Sequence, residues 1–235
     1  MGKRRMERLD PGLVHATVVR LADRIRARFP ERHLGHVADE LVTIAKKIDH
    51  EGDGARRRLH RVTYAARLGS VLILAATSIL LLLAVRDAIR HGPDTTIEWV
   101  PLIESMINDL VFAGIALFFL RAWPERIERG RLLATLHRLR SLAHIVDMHQ
   151  LTKDPERLRP DFVPTSHSVD PGLGRDDLEH YLDYCSELLS LIGKVAALCA
   201  EESEDALVLD TISTIETMTT GMSGKIWQKI SLLPN

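Results

Sequence analysis

Cysteine and aromatic residues are scarce: the 235 residues include only Cys185 and Cys199, and Phe, Tyr and Trp together make up 5%. Two thiols leave no room for a disulfide framework. Placed 14 residues apart on one predicted helix, they are separated by about 21 Å and cannot pair within it. They read as small core residues of a reducing compartment. No HExxH pair and no GxxxxGK[ST] phosphate loop occur, and Gly172-Leu173-Gly174 lacks the strand and helix of a nucleotide fingerprint. An enzyme is therefore not expected, and neither is a cofactor or a nucleic-acid partner. Lys3, Arg4, Arg5 and Arg8 have no apolar stretch behind them, so no cleavable signal peptide is expected.

What the chain does have is one long stretch without charge. Leu68 to Val85 (LGSVLILAATSILLLLAV) runs between Arg67 and Arg86, and its only polar side chains are Ser70, Thr77 and Ser78. Such hydroxyls bond back to helix carbonyls, and a soluble core helix would carry a polar face, so the run reads as a membrane span. A turn signal, His91-Gly92-Pro93-Asp94, follows, and then Trp99 to Leu120 gives a second span of about 33 Å. The spans are expected over about 68–89 and 99–121, within a hairpin covering 68–123.

Arginines cluster before the first span (Arg56, Arg57, Arg58, Arg61, Arg67) and after the second (Arg121, Arg126, Arg129, Arg131), whereas the connection carries Arg86 and Arg90. Basic residues resist translocation, which predicts that both termini are cytoplasmic. Trp99 and Trp123 flank the second span as interfacial anchors.

The rest reads as helix. Val14, Val18, Leu21, Ile25 and Phe29 form a stripe stopped by Pro30, and Leu34, Val37, Leu41, Ile44 and Ile48 form another up to a break at Gly52-Asp53-Gly54. Residues 1–67 thus form cytoplasmic amphipathic helices. Leu132, Leu133, Leu136, Leu139, Ala143 and Val146 extend the second span through 124–150, with Pro124 a place for a bend. Pro155, Pro160, Pro164 and Pro171 mark 151–174 as a linker, with Asp170 and Asp176 as candidate caps. In 175–235, Leu178, Tyr181, Cys185, Leu188, Ile192, Val195 and Cys199 make a narrow seam suited to helix pairing. Ser203 is a candidate cap for a second striped helix through Ile212, Ile215, Thr219, Met222 and Ile226. The predicted class is an all-α membrane protein, a two-helix transmembrane hairpin with a cytoplasmic helical bundle or coiled-coil domain. Residues 1–67 carry 16 Lys/Arg against 9 Asp/Glu, and 175–235 carry 4 against 11. The two regions are expected to pack together, with anionic lipid and a basic partner as the alternatives.

The sharpest functional feature is a polar patch in the second span. Glu104, Ser105, Asn108 and Asp109 share an arc of about 140 degrees. Carboxylates at membrane depth face a bundle interior or a water path, so the patch, with Glu98 at its mouth, is a candidate ion pathway. One hairpin encloses no pore, so that reading requires a homo-oligomer. A structural alternative pairs Arg86 with Asn108 and Asp109, and Arg90 with Glu104, across a hairpin folded about residue 97. His33, His36 and Glu40 are spaced for a metal on a helix, and His137, His144, Asp147 and His149 form looser groupings, but none carries a repeated ligand pattern, and no metal is expected.

The order of helix, two tight spans, extended helix and helical tail resembles the SLATT two-span effectors of bacteria. That resemblance implies a pore subunit of the bacterial cytoplasmic (inner) membrane acting in defence. The Glu98-Trp99-Val100-Pro101 run is similar to the acidic Trp-Pro mouth of calcium uniporters, with acid and Trp in reversed order. The expected function is an oligomeric, ion-conducting channel whose partners are the bilayer, other copies of the chain and ions. A membrane-anchored scaffold that docks a protein through 175–235 is the alternative, and a metal- or lipid-handling protein is a third.

Overall fold

A computed structural model describes residues 9–90, 99–168, 172–201 and 203–234. Its elements are α1 (Pro11–Arg28), α2 (Leu34–Arg90), α3 (Trp99–Leu151), a 3-10 turn (Pro155–Leu158), α4 (Arg175–Ala200) and α5 (Ala206–Ser231), with no strand among the described residues. The chain divides into two compact units, one of residues 1–52 with 129–235 and one of residues 53–128.

The first unit is a helical bundle whose helices begin and end for local reasons. Asp10 caps α1 by accepting from the N–H groups of Gly12 and Leu13, and Pro11 sits where its missing N–H costs nothing. Arg26 and Arg28 lie in the last turn of α1, where cations suit the helix dipole. The cap of α5 is Asp205, which accepts from Leu207 and Val208, while the expected cap, Ser203, instead accepts from the N–H of Asp205. Gly174 precedes α4 without a side-chain cap, and Asp176 and Asp177 supply acid to its first turn. Asp170, the other cap candidate, lies outside the described residues.

All of the expected stripe on α1 is buried, and so are Leu34, Val37, Leu41 and Ile44 of α2 and Leu132, Leu136, Leu139, Ala143 and Val146 of α3, while Ile48 and Leu133 are only partly buried. The seam on α4 is wider than its heptads predict: 15 of its 26 residues are buried, including Leu182, Leu189 and Ala196 outside the seam. A narrow seam serves a pair of helices, whereas α4 is wrapped by α5 on one side and α1 on another, with α2 and α3 completing the same core. Gly193 lets α5 approach, since a β-carbon there would lie 3.1 Å from the Thr219 hydroxyl. Phe29 closes the end of α1 with edge-on contacts to Tyr181 and Tyr184.

The basic front half meets the acidic tail at the rim of this bundle. Arg24 pairs with Glu187 at 2.9 Å and Arg28 with Asp177 at 3.3 Å, both exposed and so worth little each.

The predicted break at Gly52-Asp53-Gly54 does not occur, because α2 runs through it. No proline lies between Pro30 and Pro93, so no helix hydrogen bond is removed. Each glycine costs only about 1 kcal/mol relative to alanine, less than starting a new helix. Pro124 likewise lies inside a continuous α3.

The second unit is the antiparallel pair formed by α2 and α3 between residues 53 and 128. Gly69 sits where a β-carbon would come within 2.6 Å of Leu120 Cδ2. Both helices are long and apolar enough to cross a membrane, and their most apolar windows are almost wholly unburied, Ala113 of α3 being buried. Leu72, Leu82, Leu110, Phe112 and Phe118 are all more than half exposed.

Truncating the centre of α4 tests the bundle. Leu188→Ala should destabilise the full chain by about 2–5 kcal/mol, whereas Leu13→Ala, at an exposed site, should stay within about 0.5 kcal/mol. Thermal unfolding followed by circular dichroism reads the difference.

Candidate functional site

Ten residues from Val100 to Asp109 decide what α3 can do. Pro101 falls in its first turn, where a missing N–H is tolerated. Beyond it, the helix carries Glu104, Ser105, Asn108 and Asp109, all exposed within the single chain. Glu98, the expected mouth residue, lies outside the described residues.

The hairpin divides the patch. Ser105 and Asp109 line a cleft of about 310 Å³ with Thr77, Leu80, Leu81 and Ala84 of α2. Glu104 and Asn108 do not line it. The pairing also sets the register of Asp109, which lies level with Leu80 and Leu81. Arg86 is therefore roughly 8 Å nearer the connection, at 1.5 Å per residue. Among the described residues no ion pair joins Arg86 to Asp109 or Arg90 to Glu104. A fold point at residue 97 would have aligned them, but the contact of Leu120 with Gly69 sets a different register. The patch thus offers three acceptor-rich side chains, Glu104, Asn108 and Asp109, on a helix whose neighbouring positions Ile103, Ile107 and Leu110 are apolar and exposed.

The histidine groupings do not converge. The rings of His33 and His36 lie 5.8 Å apart, while Glu40 is taken by Arg138 of α3. Asp147 accepts from the Gln150 amide at 2.8 Å. Among the described residues no three His, Cys, Asp or Glu side chains gather as a metal site would require.

One polar cluster was not anticipated from sequence, because its members come from distant segments. Lys229 of α5 donates to the carbonyls of Gln150 (2.8 Å) and Lys153 (3.2 Å), so it caps the end of α3. The Lys153 ammonium lies 5.3 Å from the centre of the Tyr181 ring. Burial pushes the pKa values of both lysines down and that of Tyr181 up, and pushes the Cys185 thiol up to about 12. A thiol so placed stays protonated and unreactive at neutral pH. The only available sequence signal was a lysine in the last turn of α5.

The chain matches no protein family, no curated protein and no solved structure.

Burial, with His33 and Lys153 as positive neighbours, holds the pKa of His149 below its ordinary value. The unfolded chain therefore binds this proton more readily than the folded one. The stability that His149 contributes is present above about pH 6.5 and is lost as pH falls toward its folded value. The melting temperature should drop between pH 7 and 5.5, and His149→Gln should flatten that dependence.

Proposed function

We propose that the chain is a subunit of a homo-oligomeric membrane channel for ions. In this reading α2 and α3 cross the bilayer as a hairpin within residues 68–123. Both ends of the chain lie on the cytoplasmic side, and α3 faces the axis. The bundle of residues 1–52 and 129–235 then assembles or gates the ring.

The observation that carries the proposal is the exposure of Glu104, Asn108 and Asp109 on a helix whose remaining faces are apolar. A carboxylate turned to lipid at mid-helix costs about 3 kcal/mol on insertion scales, which bears on Asp109 more than on Glu104, since Glu104 lies close to the start of the apolar stretch. The hairpin shields Asp109 only through the cleft beside α2, and Glu104 not at all. Neighbouring copies around a water-filled axis remove that cost, and the ring of carboxylates then favours cations. Trp123, 61% exposed next to the arginines at the end of the apolar stretch, fits an interfacial position.

A second reading, a membrane-anchored interaction protein without transport, is favoured by Leu207, Leu209 and Trp227, which stand exposed on α5. The acidic face offers it less, because Asp177 and Glu187 are engaged by Arg28 and Arg24.

Native mass and particle images of the detergent-solubilised chain separate the two, since a channel appears as a closed ring and a monomer eliminates it. In liposomes, Glu104→Gln and Asp109→Asn should lower cation flux and move the reversal potential toward the non-selective value. Unchanged flux and selectivity would return the carboxylates to a packing role.

A further inference from the structure

At the opposite end of the hairpin from Glu104, α2 and α3 line a cleft of about 710 Å³. Its inner wall is apolar, formed by Val71, Leu74, Leu117 and Leu120. Its mouth is charged: Arg67 comes from α2, and Arg121 and Glu125 come from α3 one turn apart. Among the described residues none of these three has an ion pair, although Glu128 at the rim is already engaged. Pro124, also in the wall, has no N–H to give the carbonyl of Leu120 four residues before it.

We infer that this cleft binds one phospholipid carrying both a phosphate and a primary ammonium, a phosphatidylethanolamine, with its head between Arg67, Arg121 and Glu125. The inference rests on the reading that the hairpin lies in a bilayer. Two guanidinium groups from different helices flank the phosphate and form charge-assisted hydrogen bonds to it. Basic pockets between membrane helices on the arginine-rich side take lipid head groups in this way. The carboxylate of Glu125 argues against a purely anionic head, which it would repel. It matches an ammonium instead, and the Leu120 carbonyl provides a second acceptor for the same group. One acyl chain then follows Val71 and Leu74 into the cleft, covering apolar surface that the two helices leave open.

The test uses the full chain in nanodiscs of phosphatidylcholine containing either phosphatidylethanolamine or phosphatidylglycerol, with retained lipid counted by native mass spectrometry after release into detergent. Phosphatidylethanolamine should be retained in preference to phosphatidylglycerol and phosphatidylcholine. Arg67→Gln and Arg121→Gln should each weaken retention about fivefold, and the pair about 25-fold. Glu125→Gln should keep lipid retention but abolish the preference for phosphatidylethanolamine over phosphatidylglycerol. Neither inorganic phosphate nor free phosphoethanolamine at millimolar concentration should displace the lipid. Displacement by inorganic phosphate would reassign the cleft to a soluble anion and overturn the inference, as would equal retention of all three lipids or indifference to the arginine substitutions. Circular dichroism of each variant separates loss of the site from loss of fold. A chain that stays in solution without detergent would sink the bilayer reading itself, whereas a chain held in nanodiscs without lipid selectivity would sink only this site.

Discussion

A helix as long as a hydrocarbon layer and without a polar side demands a cover, and this chain does not provide one. The apolar stretch of α2 touches only one face of α3, and the most apolar windows of the two helices stay almost wholly unburied. In water such surface would far exceed the apolar patches that monomeric proteins tolerate. The helical backbone satisfies its own hydrogen bonds, which is what makes lipid a permissible neighbour. The proposed depth of Asp109, the proposed oligomer and the lipid cleft all follow from who supplies that cover.

The other unit solves the same problem internally. Its core forms around α4, which has apolar residues on most of its circumference and is enclosed by α1, α5 and the parts of α2 and α3 outside the hairpin. Charge plays a secondary part there. The arginines of α1 meet the acids of α4 at the exposed rim, where such pairs orient the helices more than they hold them.

Periodicity made the helices and their buried faces legible, because a 3.6-residue repeat of apolar positions is a property of the local sequence. Every apolar position expected on α1 and in the α4 seam is buried. The sequence was least informative where a local preference competes with continuity or where contacts are non-local. Gly52 and Gly54 read as a stop, yet a helix already propagating passes through them. The register of the hairpin could not be taken from the turn alone, since it depends on Gly69 admitting Leu120 from the other helix. The four-residue polar patch was visible as an arc, but not that only Ser105 and Asp109 would turn toward α2.

The end of α5 touches both ends of the excursion that joins α3 to α4. Lys229 holds the Gln150 carbonyl at the end of α3 and the Lys153 carbonyl just beyond it, and Arg175, the first residue of α4, donates at 2.6 Å to the carbonyl of Pro234. The stretch between them is therefore a loop closed at its neck by its own C-terminal neighbour. Its length and sequence are free to drift without moving the helices that it connects, and a chain nicked there would stay one particle, as a ring cut once is still held by its clasp.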